Sequence, residues 1–174
     1  NFVSLVKYKN LFKNLIIMDG LSKSYAMTGW RLGWGIFPDE IIEKAEKFCV
    51  NTFSCVNNFT QYAAIEALSG PQTNISKMVR SFYNRSKIIT RGLNEIKGFS
   101  CKSPSGAFYC YPNIKKTGYD ADFIEKLLLN KLGIAVLSGN NFGENNENHI
   151  RISYASKEQN LKTALKIMKS FFNK

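Results

Sequence analysis

From Ile75 to Lys97 the apolar residues Ile75, Met78, Val79, Phe82, Ile89, Leu93 and Ile96 recur at helical spacing, and Gly98 supplies a stop. That spacing predicts a helix about 34 Å long at 1.5 Å per residue, enough to join two lobes. The pattern differs on its two sides. Before it, short apolar runs alternate with helical stretches; after it, short strands and helices are mixed in the manner of an α+β domain. The sequence has 174 residues, 44% of them hydrophobic and 21% charged. This is an ordinary globular composition, so disorder is excluded as a global description.

In the first stretch Leu15, Ile16, Ile17 and Met18 run between Asn14 and Asp19-Gly20, predicting a strand buried on both faces. Arg31 to Phe37 predicts a second strand, and its Gly33 and Gly35 imply close approach by a backbone or a ligand. Pro38-Asp39-Glu40 opens a helix with Ile41, Ile42, Ala45, Phe48 and Cys49 on one face. Another helix covers Thr60 to Leu68 and stops at Ser69-Gly70-Pro71. Two buried strands do not complete a parallel or mixed sheet, so sequence preceding Asn1 is expected. After Gly98, Ala107 to Tyr111, Ile134 to Leu137 and Ile150 to Tyr154 read as strands. Asp120 caps a helix ending at Leu132-Gly133, and a polar loop runs from Asn140 to Asn148. A last helix from Lys157 turns Leu161, Ala164, Leu165, Met168 and Phe172 inward.

The net charge is +11, from 24 Lys plus Arg against 13 Asp plus Glu. Nineteen of the cations are lysines spread between apolar positions, a pattern of solvated helix faces and not of a nucleic-acid stripe. Cys49, Cys55, Cys101 and Cys110 lack metal-ligand spacing and, with one His, make no familiar metal site; they read as buried reduced thiols. No apolar run approaches the roughly 20 residues that span a bilayer. A cytoplasmic protein without a membrane partner is the expectation.

The most informative segment is Gly20-Leu21-Ser22-Lys23-Ser24-Tyr25-Ala26-Met27-Thr28-Gly29-Trp30-Arg31-Leu32-Gly33. Fully extended, the eight residues from Lys23 to Arg31 would separate them by about 27 Å, but Thr28-Gly29 permits a turn that returns both cations to one small anionic site. A desolvated lysine beside another cation favours the neutral amine that attacks a carbonyl. An arginine's donor fork suits a phosphate dianion. Together these describe a site for pyridoxal phosphate (PLP), although two solvated cations on a surface turn explain the residues equally well.

The run Gly20 to Gly33 resembles, position by position, the PLP-attachment signature of class I and II aminotransferases, in the branch that includes bacterial-type aspartate aminotransferases. The resemblance covers essentially this whole chain but only the C-terminal part of the family's sequence. It implies that Lys23 is the Schiff-base lysine and proton shuttle, that Arg31 binds the cofactor phosphate, and that Ser22 is a weaker phosphate candidate. Some members carry a serine three residues before the lysine; here that position is Gly20. Tyr25 is a candidate for lining the cofactor pocket near a dimer interface.

In His149-Ile150-Arg151-Ile152-Ser153-Tyr154-Ala155, alternation puts Ile150 and Ile152 on one strand face and Arg151 with Ser153 on the other. Taken alone, Arg151 is an exposed arginine on a half-solvated strand. The family carries an Arg-x-Ser-Tyr-Ala strand after a Gly-x-x-Phe-Gly loop, matched by Gly139 to Gly143, and this implies that Arg151 grips the substrate α-carboxylate. Pro104 to Tyr109 and Gln61 to Ala64 resemble further family segments, read as structural marks; His149 is read as a strand-edge residue.

The expected fold is α/β, the C-terminal part of a PLP-dependent transferase fold, with a partial large-domain sheet and helices plus an α+β small domain. The expected division is 1–74 for the cofactor-binding part, 75–98 for an interdomain helix and 99–174 for the small domain. The implied activity is transamination between an amino acid and a 2-oxo acid, by a homodimer in the intact enzyme, with no nucleic-acid partner and no metal. This length alone is expected to be inactive, because the family draws several cofactor contacts from earlier sequence. The alternatives are a PLP-dependent lyase on the same scaffold and a noncatalytic basic module binding nucleic acid or protein.

Overall fold

Two glycines determine how the first strands meet. β1 (Ile17–Gly20) pairs antiparallel with β2 (Gly33–Ile36), and Gly20 lies opposite Gly33. A Cβ on Gly33 would sit 2.9 Å from the Asp19 carbonyl oxygen, and one on Gly20 would sit 3.1 Å from that of Leu32. Bare backbone at both positions lets the strand ends close on each other. This computed structural model describes residues 3–173. It divides into two units, Asn1–Ile75 and Ser76–Lys174, each described by itself.

In the first unit the predicted strand at Leu15 to Met18 starts two residues later and ends at Gly20. It is not buried on both faces: Met18 is 70% exposed. Among the described residues β1 has β2 as its one strand partner. The second strand also contracts, from Arg31–Phe37 to Gly33–Ile36. The short helix α1 (Leu21–Ser24) follows β1 directly. α2 (Asp39–Phe53) starts after Pro38 with two acidic residues in its first turn, as the sequence indicates. On its apolar face Ile41, Ala45 and Cys49 are half-buried, whereas Ile42 and Phe48 face solvent. α3 (Asn58–Ser69) begins two residues before the predicted start because the Asn57 side chain caps it, accepting from the Phe59 N–H at 3.1 Å. Only Leu21, Thr60 and Ala64 are buried among the described residues of this unit, a thin core.

The second unit holds the main core. α4 (Thr73–Asn94) starts before the boundary at Ile75 and stops three residues short of the predicted end. Its stop is the Asn94 amide, which donates to the Cys101 carbonyl at 2.9 Å and accepts from the Cys101 N–H at 2.8 Å. Ile89 and Leu93 are buried, but Val79, a member of the same periodic set, is exposed. β3 (Tyr109–Cys110), β4 (Leu137–Ser138) and β5 (Ile150–Ser153) form an antiparallel sheet in the order β3-β5-β4. β3 is shorter than predicted, with Ala107 in the left-handed region at φ 58°. β4 is displaced from Ile134–Leu137 because the Ile134 N–H closes α5 (Ala121–Leu132), donating to the Leu128 carbonyl at 2.9 Å. Asp120 caps α5, accepting from the Phe123 N–H at 2.8 Å, as predicted. α6 (Glu158–Phe172) lays Leu161, Leu165 and Met168 into the core. Leu93, Ile114, Ile124, Leu128 and Ile150 are fully buried there.

The thiols are all free but not all buried, contrary to the sequence expectation: Cys55 is exposed and Cys49 half-buried. Neither belongs to the core of the second unit, where Cys101 and Cys110 lie buried. The neighbouring Cys101 thiol, together with burial, pushes the Cys110 thiol up. Among the described residues no helix is long and apolar enough to cross a membrane.

Thiol titration with an aromatic disulfide reagent is therefore expected to show Cys55 reacting first and Cys49 more slowly, with Cys101 and Cys110 protected until denaturant is added. Replacing Gly33 by Ala forces a Cβ against the Asp19 carbonyl and is expected to destabilise the first unit by about 1–3 kcal/mol. Urea unfolding followed by tryptophan fluorescence reads this, because both tryptophans, Trp30 and Trp34, lie in that unit.

Candidate cofactor and carboxylate sites

The Gly20–Gly33 pairing closes the chain segment that carries Lys23 and Arg31. At the head of α1 the Leu21 N–H donates to the Leu32 carbonyl at 3.3 Å. Lys23 stands two residues past this bond and Arg31 one residue before it. Their Cα atoms therefore lie within about 16 Å, well short of the extended limit of about 27 Å. Between them the chain passes through the predicted turn, a 3₁₀ turn at Thr28–Trp30.

Arg31 closes that turn in the left-handed region, at φ 54° and ψ 47°, and its Nη1 donates to the Thr28 carbonyl at 3.2 Å. Ala26 has the same positive φ. Such backbone costs about 1 kcal/mol or more per residue and collects at functional sites. Ser22 is half-buried in α1, next to Lys23. Tyr25 donates to Gln72 Oε1 at 3.2 Å, and Gln72 in turn donates to the carbonyls of Ala67 and Gly70. The Tyr25 phenol thus ties the turn to the end of α3.

One expectation is corrected here. Lys23 is exposed among the described residues, in contrast to the partly desolvated setting expected for its amine. A β-carbon at Gly20, as the serine of some family members requires, would press on Leu32 and Gly33 backbone at 3.1 and 3.2 Å. The donor set fits PLP: a primary amine suits its aldehyde, and an exposed guanidinium suits its phosphate.

The second unit carries Arg151 on the central strand β5. Ile150 and Ile152 are buried, whereas Arg151 is half-buried and Ser153 exposed, as the alternation predicts. Tyr109 of β3 pairs with Ser153, so its ring lies diagonally across from Arg151 on the same face. On the other side β4 runs straight into a 3₁₀ turn at Gly139–Phe142. The Arg151 guanidinium lies over the ring of Tyr109 and over the ring of Phe142, 4.4 Å from each centroid.

The turn bearing Phe142 is secured from several directions. Ser138 N–H donates to Glu125 Oε2 at 3.0 Å. Hydrogen bonds from Ser138 and Asn140 hold the Asp122 carboxyl below the usual range, so its contribution is present at neutral pH and is lost as pH falls through the lowered value. The Gly139 N–H donates to the His149 carbonyl at 2.8 Å, and a side chain on Gly139 would overlap Asn146. His149 is more than an edge residue: its ring stacks on Tyr111 at 5.0 Å, and Tyr111 donates to Asn146 Oδ1 at 2.9 Å.

Tyr109 and Phe142 thus touch the candidate carboxylate arginine, although the sequence marks Tyr109 only as part of a structural segment and Phe142 only as a member of the loop before β5. The signal was present in part, since Phe142 falls in the Gly-x-x-Phe-Gly loop. The strand register that carries Tyr109 to Arg151 has no sequence signature.

The sequence profile described as aminotransferase class I and II matches residues 3–168. The chain is 37% identical over 164 residues to an aspartate aminotransferase of Pyrococcus abyssi, covering 93% of this chain and 42% of that protein. It is 37% identical over 172 residues to a (5-formylfuran-3-yl)methyl phosphate transaminase of Methanocaldococcus jannaschii, covering 98% and 45%. The solved structure of an aromatic aminotransferase from Pyrococcus horikoshii superposes with a TM-score of 0.94 at 34% identity, over 99% of this chain and 47% of that one. The chain therefore spans less than half the length of these relatives. With an α/β fold shared at this level and a family match across nearly all of its residues, the chain belongs to the class I and II aminotransferases.

Proposed function

We propose that this chain forms the PLP-attachment and substrate-carboxylate portion of an aminotransferase that exchanges an amino group between an amino acid and a 2-oxo acid. The observation that carries the proposal is the Leu21–Leu32 closure, which sets Lys23 and Arg31 around one short turn. In this reading residues 1–74 belong to the cofactor-binding domain, 75–98 to the joining helix and 99–174 to the small domain.

PLP, when bound, supplies the electron sink that stabilises negative charge at the substrate Cα. Lys23 would hold the cofactor through its amine, and the same amine would carry the proton taken from the substrate Cα. Arg31 holds the phosphate with a guanidinium already restrained by its bond to Thr28. Ser22 is the secondary phosphate donor. Arg151 pairs with the α-carboxylate and fixes the orientation of amino acid and oxo acid alike. The relatives' names cover aspartate, aromatic and formylfuranyl substrates, a range that shares an amino group to be exchanged and differs in the side chain. A cytoplasmic homodimer is proposed for the intact enzyme, and these 174 residues alone are expected not to transaminate at a useful rate.

Borohydride treatment of the PLP-loaded protein followed by peptide mass analysis is expected to place the pyridoxyl group on Lys23 and on no other of the 19 lysines. Label spread evenly over surface lysines, and unchanged by Lys23→Ala, would favour the noncatalytic basic module. Arg31→Ala is expected to weaken PLP retention at least about tenfold in equilibrium dialysis. Release of pyruvate and ammonia, in place of oxo-acid exchange, would mark a lyase.

A further inference from the structure

We infer that Tyr109 and Phe142 are positioning residues that lock the Arg151 guanidinium between two rings and thereby make the site select planar carboxylates over tetrahedral anions. The inference rests on the assignment of Arg151 to the α-carboxylate. It adds the source of the arginine's orientation and a shape criterion for the anion.

The rings reach Arg151 from opposite neighbours of β5: Tyr109 from β3, and Phe142 from the turn that follows β4. Each centroid is 4.4 Å from the guanidinium carbon, within stacking and cation–π range. The rings are themselves supported. Phe108 packs against Tyr109 at 4.4 Å, and Tyr111 meets Phe142 edge-on at 6.3 Å and 86°. Tyr111 is fixed by the stacked His149 and by its bond to Asn146. A long side chain that is otherwise free to rotate is thus held by a preformed slot.

A guanidinium covered by rings offers its N–H donors along its rim, in its own plane. Two carboxylate oxygens lie in one plane and pair with two parallel donors. The three oxygens of a sulfonate cannot all lie in that plane, and at least one is driven toward a ring. Holding the plane in advance also removes ordering cost at each binding event, so the benefit appears in substrate affinity.

The test uses the PLP-loaded holoenzyme containing this chain and two competitive inhibitors of equal charge and equal alkyl group, propionate and ethanesulfonate. The wild type is expected to bind propionate about tenfold more tightly than ethanesulfonate. Phe142→Leu and Tyr109→Leu are expected to weaken propionate about fivefold to tenfold and bring the ratio of inhibition constants near one, with KM for the amino acid rising and kcat nearly kept. The ring-keeping variants Phe142→Tyr and Tyr109→Phe are expected to retain the wild-type ratio, which separates a slot from a general packing role. Phe142 is 42% exposed, so its replacement leaves the core intact. A wild-type ratio near one, or leucine variants that keep the wild-type ratio, overturns the inference. Arg151→Leu distinguishes the two readings. Loss of propionate binding there, with no effect of the ring variants, removes the slot alone; no loss there removes the carboxylate assignment on which the slot rests.

Discussion

The strict two-residue alternation of β5 ties the core of the second unit to its candidate site. Ile150 and Ile152 face inward onto Leu93, Ile114, Ile124 and Leu128, so Arg151 and Ser153 must face outward. A slip of one residue would bury a guanidinium and expose two isoleucines, a cost far above what a three-stranded sheet of short strands could offset. The hydrophobic core therefore fixes the direction in which Arg151 points. Antiparallel pairing on both sides of β5 then sets which groups stand beside it, Leu137 from β4 directly and Tyr109 from β3 diagonally.

The first unit reaches a comparable result by different means. Its core is thin, and large side chains on its helices, among them Phe48, Phe53, Phe59 and Tyr62, lie open to solvent. Order around Lys23 and Arg31 comes from backbone: two opposed glycines, one hydrogen bond between Leu21 and Leu32, and two residues held at positive φ. Left-handed backbone at an alanine and an arginine persists where surrounding contacts over-determine it. Here those contacts include the Arg31 bond to Thr28 and the Tyr25 bond to Gln72.

Much of this is legible in the residues alone. Helices α2 to α6 follow from apolar periodicity and from caps such as Asp120, and β5 follows from its alternation. Lys23, Arg31 and Arg151 stand out by chemistry and by resemblance to the family. The short strands were harder to place, because isolated apolar runs such as Leu15 to Met18 or Ile134 to Leu137 suit several registers. Which residues pair was settled by an Ile134 N–H engaged in closing α5 and by glycines that admit a close backbone. The assumed burial of all four cysteines failed for a related reason: composition sets how often a thiol is buried, and packing sets which one.

By itself the sequence determined the element types, the division in pattern around a long helix, the outward face of β5 and a lysine and an arginine of types that suit an aldehyde and a phosphate; Arg151 drew a carboxylate role only from the resemblance to the family. These depend on local periodicity and on functional-group chemistry, which act between near neighbours in the chain. Only the tertiary structure decided that Gly20 meets Gly33, and that Tyr109 and Phe142, 42 and 9 residues from Arg151, close on its guanidinium. Contacts of that kind arise from strand register and loop closure, where the free energy belongs to the packed whole and no single segment encodes it.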